Sequence, residues 1–155
     1  MAESAHPMRL DRASCQELLV GSEHGVLATR HPTRGVDAVP VCFVADASGL
    51  AVPIDRVKAK ASPDLQRTRN LARDPRAVLL CDHWEAADWS RLWWVRVSLE
   101  LVTATAEERS VLESELRAKY RQYQGRPFAG LLVFRTTEMI GWSARPEHAA
   151  PSDGR

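Results

Sequence analysis

The chain has 155 residues, of which 45% are hydrophobic and 26% charged, with 21 Lys and Arg against 20 Asp and Glu. That is about one domain's length with enough apolar content for its own core, so disordered and fibrous readings fall away. A net charge of +1 lacks the basic excess of a nucleic-acid or membrane-surface binder, so any anion site has to be local.

Residues 1–7 and 145–155 are rich in Ala, Ser, Pro, Asp, Glu and Gly and read as loose tails around a single domain at 8–144. The N-terminal stretch has no apolar segment behind a basic start, and no run approaches the roughly 18 apolar residues of a membrane span. A cytoplasmic protein is expected. Cys15, Cys42 and Cys81 are widely spaced, without a CxxC pair, so neither a disulfide framework nor a zinc site is suggested. Cys42 and Cys81 fall in apolar runs and read as buried, unreactive thiols.

In chain order, Asp11 can cap a short helix through Cys15, Leu18 and Leu19 that ends near Gly21. Strands follow: 25–31 (GVLATRH), a turn at Pro32 to Gly35, and a return through 36–46 (VDAVPVCFVAD). After a turn at Asp46 to Gly49, residues 50–55 (LAVPID) form a third strand, irregular or at an edge around Pro53, which cannot donate to a ladder. Ser62, Pro63 and Asp64 make a helix start, and Pro75 sets its limit. Residues 77–82 (AVLLCD) and 92–103 (LWWVRVSLELVT) are core-forming strands. Thr105 and Glu108 form a capping box for a helix whose apolar face is Leu112, Leu116, Tyr120 and Tyr123, before Gly125. A sixth strand spans 130–142. Six strands, interspersed short helices and no βαβ alternation predict a mainly β, antiparallel sheet or barrel.

Two features carry candidate chemistry. The first is the segment 56–76, which holds Arg56, Lys58, Lys60, Arg67, Arg69, Arg73 and Arg76 against Asp64 and Asp74 alone. Lys58 and Lys60, two apart in an extended segment, project to one side and could embrace a phosphate. Arg67 follows on a helix whose N-terminus offers free amides. A phosphate clamp and a solvated polar face both fit this charge pattern.

The second is aromatic crowding, since Trp84, Trp89, Trp93 and Trp94 account for four of the five tryptophans. On a strand, Trp93 and Trp94 point to opposite faces, and Arg96 and Ser98 share the face of Trp94. That face suits a planar ring or a subunit interface, and simple packing fits it as well. Asp82 with His83, or His83 with Asp88, could form an acid–base pair, but no Ser elbow, HExxH, GxGxxG or GxxxxGK[ST] accompanies them. Any phosphate site must come from side chains.

The strings HGVLATR, VPVCFVAD, LAVPIDRVKAKA, RTRNLARDPRAVLLCDHW and above all DWSRLWWVRV resemble the pyridoxamine-phosphate-oxidase-like split-barrel proteins. Within them they are similar to an actinobacterial subgroup assigned to coenzyme F420, over residues 22–144. The resemblance implies a six-stranded antiparallel split β-barrel with flanking short helices. It implies a homodimer with two cofactor sites at the subunit interface. By position, the ring would lie near Val52, Pro53, Ile54 and Asp55, its phosphate near Lys58, Lys60 and Arg67, with Trp94, Arg96 or Trp142 supplied by the other chain. The implied activity is hydride transfer between F420 and an activated double bond of a small organic substrate, with no side-chain nucleophile and no metal. FMN-dependent oxidoreduction, or non-catalytic binding of a flavin, deazaflavin or haem, is the alternative. The oxidases proper carry an Arg-Lys pair where this chain has Lys58 and Lys60 separated by Ala59, which weakens the FMN assignment. Their substrate-phosphate residues have no match here.

Overall fold

The computed structural model describes residues 8–55 and 65–145. They form one antiparallel sheet of eight strands in the order β3-β2-β6-β7-β8-β5-β4, with β1 paired to the end of β8. The strands are β1 (Met8–Arg9), β2 (Gly25–His31), β3 (Gly35–Val41), β4 (Val44–Ala45), β5 (Gly49–Asp55), β6 (Arg76–His83), β7 (Trp93–Val102) and β8 (Phe128–Ser143). Three helices accompany them: α1 (Arg12–Gly21), α2 (Gln66–Arg73) and α3 (Ala106–Lys119). The six strands expected from the pattern are β2, β3, β5, β6, β7 and β8. The two-residue β1 and β4 are additions.

Alternation decides what each strand buries. Leu27 and Thr29 of β2, Ala77, Leu79 and Cys81 of β6, and Val95, Val97 and Leu99 of β7 face inward with Leu50 and Val52 of β5. They close around Phe43 and Phe134, at 0% and 2% exposure. α1, capped by the Asp11 carboxylate accepting from Ser14 N at 2.7 Å, plugs one end with Cys15 and Leu19. Gly141 lets it approach, because a Cβ there would meet Cys15 Sγ at 2.6 Å.

The first half of β8 is buried on both faces, so its sequence GLLVF does not alternate. Leu132 and Phe134 enter the main core. Leu131 joins Val44, Ala51, Leu116 and Tyr123 in a second cluster beneath α3. The capping box forms as expected, with Glu108 N donating to Thr105 Oγ1 at 3.1 Å and Thr105 N to Glu108 Oε2 at 2.8 Å. α3 ends earlier than its apolar periodicity suggests, at Lys119, and Tyr123 sits on a following 3-10 turn.

Residues 36–46 are not one strand. Their ladder breaks at Cys42 and Phe43, where the chain turns out of β3 and into β4 on the opposite edge of the sheet. Two residues from the C-terminal end of α3 cause the break. The Tyr120 hydroxyl accepts from Phe43 N at 3.1 Å and donates to the Glu23 carbonyl at 2.6 Å. Lys119 Nζ donates to the Phe43 carbonyl at 2.8 Å and lies 4.2 Å from the centre of its ring. Side chains therefore take the Phe43 backbone groups that a ladder would have used.

Pro53 behaves as its lack of an amide hydrogen requires. β4 pairs only with Leu50 and Ala51, so β5 at Pro53 has a ladder on the β8 side alone, and the register slips just beyond, between Ile54 and Asp55.

Candidate functional site

The residues picked out by sequence fall into two groups at opposite ends of β8. Pro53 and Ile54 pair with Leu131 and Gly130, and Asp55 with Phe128. Trp94 pairs with Trp142, and Arg96 with Ile140. The nearest paired positions on β8, Leu131 and Ile140, are nine residues apart, roughly 30 Å of strand at about 3.3 Å per residue if β8 were straight, and the outermost, Phe128 and Trp142, are roughly 45 Å apart. No single ring system reaches both groups within one chain. Lys58 and Lys60 lie outside the described residues, as do Arg56 and the helix start at Ser62, Pro63 and Asp64.

Arg67 lies in the first turn of α2, half-buried. A buried polar anchor fixes that helix. Asn70, fully buried, donates through Nδ2 to Thr29 Oγ1 at 3.0 Å and to Asp37 Oδ2 at 2.9 Å, and its Oδ1 accepts from Gln66 Nε2 at 2.9 Å. α2 is thereby tied to both strands of the β2–β3 hairpin. The Asn70 amide, helped by the Arg34 guanidinium, holds the Asp37 carboxyl below its ordinary value. The remaining basic residues are partly spent on ion pairs: Arg76 and Arg30 both engage Asp74, at 2.8 and 3.3 Å.

Trp94 and Arg96 do share an outward face, and the guanidinium carbon lies 5.6 Å from the indole centre. Trp93 turns the other way and packs against the core. The outward face of β3, β2, β6 and β7 is apolar for a surface, with Val36 at 60% and Leu80 at 39% exposure. It carries a hollow of about 530 Å³ lined by Leu80, Asp82, Trp84, Leu92, Trp94 and Arg96, among others. Ala28 and Val78 also line a second hollow of about 330 Å³ bordered by Arg30, Arg76 and Ser98. The first volume is of the size that takes a small organic ligand. Among the described residues, no carboxylate pairs with Arg96, so its charge is available to an anion or a carbonyl oxygen.

A larger groove, about 570 Å³, lies between α3 and the β4–β5–β8 edge. Its rim carries Asp46, Glu107, Glu108 and Glu115, while its one cation, Arg135, is bound to Glu100 at 3.3 Å. That field repels a phosphate, so size alone does not make this groove the cofactor site.

The acid–base pairs considered from sequence do not form. His83 Nε2 lies 3.0 Å from Glu85 Oε2, and the imidazole stacks against Trp93 at 6.4 Å between centres. Asp82, one residue earlier on the strand, points to the other face and lines the outer hollow. Asp88 instead accepts from Ser90 N and Oγ at 3.0 and 2.6 Å and meets Arg145 at 3.6 Å. Among the described residues, no group of three metal-ligating side chains is present. The three cysteines are free. Cys15 and Cys81 are buried, burial pushing the Cys81 thiol up to about 11, while Cys42 is only half-buried.

Sequence reasoning missed the Lys119–Tyr120 pair at the β3–β4 corner. Burial lowers the Lys119 pKa and pushes the Tyr120 phenol up to about 12. The signal was faint, since Tyr120 counts equally well as one more apolar position on α3. No helix among the described residues is long and apolar enough to cross a membrane.

No protein-family model matches the chain, and no curated protein does. Solved structures do. A conserved hypothetical protein of Mycobacterium tuberculosis superposes with a TM-score of 0.67 at 17% identity, over 100% of this chain and 97% of the other. A FAD-binding protein of Mesorhizobium loti gives 0.63 at 16%, over 88% and 96%. An F420 reductase gives 0.57 at 18%, over 84% and 96%. The chain shares their fold. Chains named as a pyridoxamine 5'-phosphate oxidase and as a haem storage protein also match, so the fold is common to several uses.

Proposed function

We propose that the protein is an F420-dependent oxidoreductase of the pyridoxamine-phosphate-oxidase-like fold, active in the cytoplasm as a homodimer. Its hydride would pass between the deazaflavin and an activated double bond of a small organic substrate. The observation that carries this is the separation along β8 of Pro53, Ile54 and Asp55 from Trp94, Arg96 and Trp142. One ligand can touch both groups only if a second copy brings its Trp94 face to the β5 end of the first. The apolar surface around Val36, Val78 and Leu80 supplies the kind of face such a contact needs. The fold shared with an F420 reductase and a FAD-binding protein supports the cofactor class.

The described residues fit such a group. Arg96 is not neutralised by a carboxylate, and Trp94 offers a flat wall beside it. When bound, the deazaflavin supplies the hydride, and the protein supplies position and electrostatics. In this reading the ring edge would lie along the β5 backbone around Pro53, where the ladder is one-sided. Arg67, on a helix anchored by Asn70, joins Lys58 and Lys60 as phosphate ligands in this reading. Trp94, Arg96 and Trp142 of the second copy close the pocket against water. No side chain is assigned as proton donor.

Fluorescence titration of the full chain with coenzyme F420 and with FMN in parallel tests the reading. Saturable F420 binding that Lys58→Ala with Lys60→Ala weakens at least tenfold is expected. Titration unchanged by the two substitutions would sink the assignment. Preferential FMN binding, with a yellow purified protein, would move it to the flavin alternative, and a Soret band to haem.

A further inference from the structure

The groove between α3 and the β4–β5–β8 edge, about 570 Å³, shares no lining residue with the two hollows on the outer face of β6 and β7. Its walls are apolar. Val102, at the end of β7, and Val111, on α3, both line it while standing 38% and 58% exposed, and Leu112 and Val133 line it with them. A single exposed valine needs no explanation. Aliphatic side chains from a strand and a helix that meet at one groove leave a shared apolar surface uncovered.

Local structure explains only part of the acidic rim. Glu107 and Glu108 stand in the first turn of α3, where the helix dipole favours carboxylates, and Glu108 closes the capping box. Asp46 holds the turn into β5. Its Oδ1 accepts from Ser48 N and Oγ, each at 2.7 Å, and from Gly49 N at 3.1 Å, while Oδ2 takes no bond among the described residues. Burial alone would raise the Asp46 pKa, but these bonds outweigh it and hold the pKa below its ordinary value, so the group stays charged. Glu115 has no such role. It lies in the C-terminal half of α3 and makes no ion pair among the described residues, and Lys119, one turn on, donates to the Phe43 carbonyl instead. Arg135 lines the groove but is bound to Glu100 at 3.3 Å, and Arg12 comes near only to donate to the Ala47 carbonyl at 3.3 Å. With Glu100 counted, five carboxylates stand against these two cations.

We propose that this groove binds a small lipophilic organic cation, an ammonium group carried on a compact aliphatic body. The body covers Val102, Val111 and Leu112, and the ammonium lies among Asp46, Glu107 and Glu115. The volume is within the range that takes small organic ligands. Charge selects the sign of the ligand, because the field of the rim repels an anion, leaves a neutral body unaffected and draws in a cation. The groove is also preformed. Asp46 N donates to the Gly49 carbonyl and Thr136 N to the Ser48 carbonyl, both at 2.9 Å. The capping box fixes one end of α3, and Lys119 and Tyr120 tie the other end to the β3–β4 corner. Little ordering cost is left to oppose binding. None of this depends on the hydride-transfer reading.

The test is calorimetric titration of the full-length protein with 1-adamantylammonium, 1-adamantanol and 1-adamantanecarboxylate, which share one aliphatic cage and differ in charge. The ammonium is expected to bind best and to exceed the carboxylate by about tenfold or more, a ratio that falls as salt is raised from about 0.05 M to about 0.5 M. Glu107→Gln with Glu115→Gln should cut that ratio at least threefold, and Val111→Trp, which fills the groove, should abolish binding of the ammonium. Circular dichroism checks that the variants fold, and if Val111→Trp does not, the glutamate pair and the salt series decide. No ammonium binding at millimolar concentration, equal binding of the three probes, or a ratio unmoved by the glutamate substitutions overturns the proposal. A change of oligomeric state by light scattering in Val111→Trp overturns it too, by assigning the groove to a second copy. F420 affinity should stay within twofold in every variant. If F420 fails to bind the wild type while the charge order persists, the hydride-transfer reading fails and the cation site stands.

Discussion

Tyr120→Phe removes one oxygen from the corner where β3 passes into β4. The hydroxyl's partners are the Phe43 amide, on a residue with 0% exposure, and the Glu23 carbonyl. Losing an ordinary hydrogen bond costs about 1 kcal/mol, and a buried amide left bare costs about 1–3 kcal/mol. Together these give roughly 2–4 kcal/mol, which in a domain of this size lowers Tm by about 4–16 °C. The phenol titrates at about 12 against 10.0 in an unfolded chain, because burial disfavours its charge. A group with a raised folded pKa contributes stability that is complete below the unfolded value and lost as pH rises through the folded one. Two units correspond to about 2.7 kcal/mol, discounted to about 1 kcal/mol because Tyr120 is only partly buried. The penalty of Tyr120→Phe should therefore shrink by about 1 kcal/mol between pH 9 and pH 11.5, as the wild type loses what the variant never had. Lys119, whose pKa burial depresses, has the opposite slope, but it is present in both proteins and cancels in the comparison. Urea denaturation of both proteins at pH 7, 9 and 11.5 measures this. A loss below 0.5 kcal/mol at pH 7, or a penalty that grows with pH, would refute the reasoning (thresholds set against about 1 kcal/mol per bond).

Gly49→Ala should be far more damaging than its size suggests, since the new Cβ would collide with the Phe134 carbonyl in the neighbouring strand, while Gly21→Ala meets nothing within 4 Å and should be neutral or slightly stabilising. Denaturation midpoints of the two variants, at equal slope, make the comparison. Asn70→Leu keeps the volume of a fully buried side chain but removes its bonds to Thr29, Asp37 and Gln66, for a loss of about 2 kcal/mol from the two neutral bonds alone. Because Asn70 depresses the Asp37 pKa, its contribution is present above the ordinary carboxylate value of 3.8 and fades as pH falls below it. The gap between wild type and Asn70→Leu should then narrow from pH 7 to pH 3, and a gap that widens would count against the network.

Much of this architecture is legible in local pattern. The alternation in GVLATRH fixes which face of β2 is buried, and the Thr105–Glu108 box fixes where α3 begins. Trp94 and Arg96 are assigned to one face by spacing alone, and the structure brings them within 5.6 Å. The break at Cys42 and Phe43 is not legible, because both residues sit in an apolar run and the groups that break it come from residues 119 and 120, 76 and 77 positions away. The distance between Pro53 and Trp94 is hidden for a similar reason: it depends on the length of β8 and on which strands flank each half. His83 illustrates the local limit, since its neighbour Asp82 is carried to the opposite face by strand alternation and Glu85, in the loop, reaches it instead.

The two outer strands of the sheet have a bearing on how copies of this protein can meet. β4 is two residues long, and β3 contains Pro40, which has no amide hydrogen, and the charged pair Arg34–Asp37 at its start. Short length, proline and charge are the devices by which natural sheets refuse to be extended strand by strand into aggregates. With both edges blunted in this way, association is steered from backbone pairing toward face-to-face packing of side chains, a contact that is finite and cannot propagate along a fibre.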